Sequence, residues 1–152
     1  MLAGMVAALC LGGWLAEARA ATFRVDDSGT RISSPITAMK WRKLVPGRFG
    51  DDTAEGEVRV AVRLNLSTWT SQRARLYMAL APTASGDVVK ATWRTQGRLL
   101  PGSVASGGRT LVYEGLINSG TLEETLDMVL TTDGRNLESA QSLQFFFEIE
   151  VP

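Results

Sequence analysis

Histidine is absent from all 152 residues. With it goes the side chain that most often serves as a general base near neutral pH, and the commonest transition-metal ligand. Cysteine occurs once, as Cys10, so no disulfide can form within the chain. Small exported domains often rely on disulfides; this chain must rely on its apolar core or on a partner. Neither sign of charge is in excess, with sixteen basic residues against sixteen acidic ones. A nucleic-acid partner is not expected, because a basic face supplies most of that affinity. No G-x-S-x-G elbow occurs, and no base is present to activate the many Ser and Thr hydroxyls. No Gly-rich phosphate loop follows a strand and opens a helix. The reading is therefore of a protein that is not an enzyme, with no catalytic residue, metal or cofactor.

The one long apolar run comes first. Residues 1–20, MLAGMVAALCLGGWLAEARA, carry an apolar stretch from Leu2 to Leu15, then Glu17, then Ala18-Arg19-Ala20. A short apolar core before a small-x-small pattern is the layout of a secretory signal peptide. No Lys or Arg precedes the run, which departs from that layout. The run is shorter than the roughly 20 apolar residues of a membrane span. Cleavage after Ala20 removes Cys10, and Leu9 is not the small residue that a lipoprotein needs before its cysteine. Residues 21–152 are then expected to form one domain, exported, with no membrane span after cleavage.

What remains reads as strands. In 58–67, Val58, Val60, Val62, Leu64 and Leu66 alternate with Arg59, Ala61, Arg63, Asn65 and Ser67. A period of two gives one buried and one wet face. The same pattern predicts strands at 73–82 (Leu76, Met78 and Leu80 inside), 88–95 (Val89, Ala91, Trp93) and 121–132 (Leu122, Leu126, Met128, Leu130). Further strands are expected at 109–117 (Leu111 and Tyr113 against Val112 and Glu114), 38–44 (Met39, Trp41), 21–25 (Phe23, Val25) and 142–151. Gly, Pro, Asn and Asp punctuate the gaps, with Ser106-Gly107-Gly108 predicted as a hairpin turn. Residues 47–57 form the longest polar loop, and the best helical candidate, 136–141, is one turn at most. Short alternating strands between turns predict an all-β, antiparallel sandwich or barrel.

Several clusters could carry chemistry. Asp51, Asp52, Glu55 and Glu57 suggest a calcium loop, but their spacing matches no ordered ligand pattern, and a solvated loop is the plainer reading. Glu123 and Glu124 with Asp127 could be a glycosidase-like acid pair, yet neighbours on a strand point to opposite faces. Trp41, Trp69 and Trp93 could build a platform for sugars or bases. Trp93 is in phase with core residues, so Trp69, in the polar setting STWTS, is the candidate ligand platform. Asn65-Leu66-Ser67 matches a glycosylation sequon but sits within a strand. Arg59, Arg63, Arg73, Arg75 and Arg94 fall on wet faces, where they blunt aggregation or offer a docking face to an acidic partner.

The segment SLQFFFEIEV, 142–151, is the most apolar strand, with Leu143, Phe145, Phe147, Ile149 and Val151 on one side. An exported, helix-poor chain ending in such a strand resembles the subunits of chaperone–usher fimbriae (pili). That resemblance implies an immunoglobulin-like antiparallel sandwich that is incomplete and completed by a donated strand. It implies that Phe145, Phe147, Ile149 and Val151 line the acceptor groove. It makes ATFRVDDSGTRIS, 21–33, the donor segment, with Phe23 and Val25 as its anchors. The implied partners are a periplasmic chaperone, an outer-membrane usher and other fimbrial subunits, and the implied location is the cell surface, reached through the periplasm. The resemblance covers the layout of residues 21–152 and rests on no diagnostic motif. The disulfide and the near-terminal Tyr that many members carry are not found here. Two other expectations stand beside it: a self-contained secreted β-sandwich binding a carbohydrate or protein through its loops, and a small hydrolase using Asp51, Asp52, Glu123 or Glu124.

Overall fold

The computed structural model describes residues 20–33, 39–42, 52–83, 86–136 and 144–152. Residues 1–19 of the expected signal peptide, Asp51, residues 137–141 of the helical candidate, and Leu143 lie outside them. Among the described residues the chain is built of strands and two short 3-10 turns. The strands are β1 (Ala21–Arg24), β2 (Arg31–Ile32), β3 (Lys40–Trp41), β4 (Thr53–Asn65), β5 (Arg73–Leu80), β6 (Lys90–Arg94), β7 (Gly102–Ala105), β8 (Arg109–Leu116), β9 (Thr121–Asp133) and β10 (Phe145–Val151). The turns are Ser67–Trp69 and Gly134–Asn136. They form two antiparallel sheets, one in the order β1-β10-β5-β8, the other β2-β4-β9-β6-β7 with β3 also on β4.

The inner faces of the two sheets make one core. Val60, Val62 and Leu64 of β4 meet Leu122, Leu126 and Met128 of β9, Leu76 and Met78 of β5, and Phe147 and Ile149 of β10, all buried. Trp93 is the largest fully buried side chain, and its indole N–H donates to the Leu100 carbonyl at 2.9 Å. Burying an indole is favourable only when its polar hydrogen is satisfied.

The structure corrects three of these expectations. β4 begins at Thr53, inside the stretch predicted as a polar loop, and pairs with β9 without interruption from Thr53↔Asp133 to Asn65↔Thr121. Ala54 and Gly56 continue the inward phase of Val60 and Val62 and are buried, but their small size hides the alternation. On β8 the residue turned fully inward is Val112, where Leu111 and Tyr113 were the expectation. The register slips there: Leu76 faces Tyr113 and Tyr77 faces Leu111, so Val112 is the extra residue of a β-bulge. The turn at 106–108 joins β7 of one sheet to β8 of the other. It is therefore a corner between sheets, with the Gly107 amide held by the Leu80 carbonyl at 2.8 Å. β2 and β7 go unpredicted because two to four residues are too few to display a period.

Candidate functional site

β10 is an interior strand of its sheet, flanked by β5 and β1. Phe147 and Ile149 are completely buried, while Phe145 and Val151 are half-buried and pack against the core. Phe145 and Phe147 meet edge to face with ring centroids 6.3 Å apart. All four side chains predicted to point inward share that face.

The other flank of β10 carries the segment predicted as a donor. β1 runs antiparallel to it in the register Ala21↔Val151, Thr22↔Glu150, Phe23↔Ile149 and Arg24↔Glu148. The Val25 amide donates to the Phe147 carbonyl at 2.9 Å, and the Val25 side chain is 1% exposed. Phe23 behaves differently: it is 48% exposed, and its ring lies 6.1 Å from that of half-buried Trp69. The predicted donor and the predicted acceptor are thus paired with each other within one chain.

Past Val25 the chain leaves this sheet. Asp26 bridges Asn65 at the end of β4, with the Asn65 amide donating to its carbonyl at 2.9 Å. A turn from Asp27 to Thr30 follows, closed by the Thr30 amide on the Asp27 carbonyl. β2 then pairs with β4 as Arg31↔Ala61 and Ile32↔Val60. Residues 21–32 therefore staple one sheet to the other.

The outer face of the β1-β10-β5-β8 sheet holds a charged network. The Arg109 guanidinium donates to Glu148 at 3.2 Å and to Glu150 at 2.7 Å, and stacks over the Tyr77 ring at 4.4 Å. Tyr77 donates its hydroxyl to Glu150 at 3.0 Å, and the Thr22 hydroxyl of β1 reaches the same carboxylate at 3.5 Å. The Arg109 hydrogen bond holds the Glu150 carboxyl below the usual range, with Tyr77 and Thr22 adding to it. Burial pushes the Tyr77 hydroxyl up, and its bond to Glu150 adds to the shift. Arg24 of β1 stacks on Phe146 at 4.4 Å.

The remaining candidates are occupied with structure. Glu123 pairs with Arg63 at 3.0 Å and Asp127 with Arg59 at 2.7 Å. Glu124 accepts the backbone amides of Gly97, Arg98 and Leu99 at 3.1, 2.8 and 3.0 Å, which fixes the loop between β6 and β7. No sequence signal points to that role. A Cβ at position 97 would stand 2.5 Å from the Glu124 carboxylate and would displace it from these amides. Glu55 and Glu57 lie on β4, not in a loop, and Glu55 pairs with Arg42 at 3.3 Å. Asp52 sits with Arg135 and Asp133 beside a shallow depression of about 320 Å³ that Lys90 and Val88 also line. Among the described residues no group of three or more acidic residues could hold a metal ion. Trp93 is core, while Trp41 opposes Ala54 at one end of β4 and Trp69 follows the other end, so the three share no platform. Arg59, Arg63 and Arg75 face acidic partners, Arg75 on Glu114 at 2.9 Å, which neutralises much of the expected basic face.

No helix among the described residues is long and apolar enough to cross a membrane. Comparisons with protein-family models, with curated proteins and with solved structures return no match.

Proposed function

We propose that this chain is an exported structural subunit of a surface fibre of the chaperone–usher kind, polymerised by exchange of the strand 21–25 between copies. The observation that carries the reading is the antiparallel seating of β1 on β10 with Val25 driven into the core. Main-chain hydrogen bonds made along a sheet edge give affinity to any extended segment, and alternate side chains give the register. The contacts β1 makes on its own β10 are the contacts it would make on the β10 of a second copy.

The strand order supports the same reading. An immunoglobulin-like sandwich has one sheet in the order A-B-E-D and another in the order C-F-G. Here β2-β4-β9-β6 follows the first order and β5-β10-β1 the second. The place beside β10 that a following strand takes in that order is held instead by the N-terminal segment. A periplasmic chaperone would cover the β10 flank before assembly, an outer-membrane usher would order the exchange, and neighbouring subunits would complete one another at the cell surface.

Deletion of residues 21–27 tests the proposal. The shortened chain should accept the strand of an intact copy and should not form fibres alone, as seen by electron microscopy and light scattering. Fibres from the shortened chain alone would refute the donor assignment.

A second reading is favoured by the pairing of β1 with β10 within one copy: a self-contained secreted module that binds a carbohydrate or protein, with Trp69 at its loop surface. Under that reading the chain stays monomeric at every concentration.

A further inference from the structure

Backbone pairing explains why a strand sits on β10, but not why this strand should be preferred. Of the β1 side chains, Thr22 and Arg24 face the outer surface, and Phe23 is too exposed to be a core plug. Its ring instead turns to Trp69, in the turn that carries the chain from β4 of the opposite sheet to β5 of β1's own sheet. The Phe23–Trp69 contact therefore ties β1 to the turn where the chain passes from one sheet to the other.

Trp69 is held ready for that contact. Its 3-10 turn is closed by its own amide on the Leu66 carbonyl at 3.0 Å, and by the Gln72 amide on its carbonyl at 3.1 Å. The Asn65 side-chain oxygen braces the start of the turn by accepting from the Ser67 amide and hydroxyl at 3.2 and 2.8 Å. Leu66 and Ser71 tether the turn to the β8–β9 connection through Gly120 and Ile117, both at 2.8 Å. Asn65 is also the residue bridged by Asp26 where the chain leaves β1. An aromatic ring fixed in position gains a stacking contact at little entropic expense.

We infer that Trp69 is a specificity-determining residue of the strand-accepting edge: it selects an incoming strand with an aromatic side chain two residues before the buried valine. The occupant is the 21–25 segment of a second copy of this chain. The inference rests on the strand-exchange reading, and it assigns to Trp69 a role in assembly that no sugar-binding platform requires.

Two measurements on the intact chain test it. In a denaturation cycle with F23L, W69L and the double variant, the two losses should be non-additive. Additive losses would overturn the contact's role. In the second, the chain is refolded with two labelled peptides of residues 21–27, one natural and one carrying F23L, each at a concentration on the order of millimolar, so that they compete on even terms with the chain's own tethered segment. The natural peptide should win by roughly two- to tenfold, the range expected for one aromatic pair, and the preference should vanish in the W69L chain. A preference that survives W69L would overturn the inference while leaving strand exchange standing. Uptake of neither peptide would overturn both.

Discussion

Glu150 shows how much one side chain can gather. It lies across from Thr22 of β1, accepts from Arg109 and Tyr77, and ionises more readily than a free carboxyl because those donors stabilise its charge. Its folded value lies below the unfolded value of 4.5. The stability it contributes is therefore fully present above the unfolded value and is lost as pH falls through the folded one. Asp133, lowered to about 2 by Arg135, acts in the same direction further down. Acid should weaken the fold progressively below about pH 4.5, and E150Q should flatten the upper part of that decline. Urea midpoints measured between pH 3 and 7 check this; equal slopes in the two chains would remove Glu150 from the account. Glu124 illustrates the opposite case, a carboxylate whose three bonds are all to backbone. Nothing in the run of residues 95–99 foretells that bond, because the partners are distant in sequence and carry no side-chain signature.

Among the elements, legibility follows length and the size of the inward residues. β5 and β9 present three or more large apolar side chains in phase, and the sequence predicts them with boundaries close to those found, as it does β6 around Ala91 and Trp93 and β4 from Val58 onward. The first turns of β4 escape because Ala54 and Gly56 carry the phase with little side chain. β8 misleads because the bulge at Val112 resets its phase, and a bulge depends on the partner strand, which a local pattern does not contain. For the candidate site, the inward face of β10 is legible in full, as is the extended character of residues 21–25. That the two segments pair with each other is a long-range fact that no periodicity encodes. β1 is also the shortest strand of its sheet: four residues, one neighbouring strand, and a single buried side chain just beyond it. Elements with few buried contacts open locally before the whole molecule unfolds. In native-state hydrogen exchange, the Phe23 and Val25 amides should therefore exchange through a low-energy opening, and those of Val60 and Leu126 only with global unfolding. Exchange of all four at one common free energy would show β1 to be an integral part of the cooperative core.

At the scale of the whole molecule, the charge balance and the thiol-poor sequence leave hydrophobic burial and sheet pairing to hold the protein. Segments joined by a short connection exchange between copies when both arrangements offer the same contacts. Refolding at high concentration should yield dimers and longer species that dilute solutions do not form, resolved by size-exclusion chromatography with light scattering. Only monomers at every concentration would favour the self-contained module. The brief link between β1 and β2, clasped to β4 at Asp26 and Thr30, bears on how such species arise. A tether of a few residues holds a segment near its own docking edge at a local concentration on the order of millimolar. A neighbour present at micromolar levels competes poorly against that, however good its fit. Mass action alone then favours the solitary, closed form. Lasting polymers would have to come from copies delivered with the tethered strand already undocked, so the decisive event would be kinetic loading and not a stronger bond.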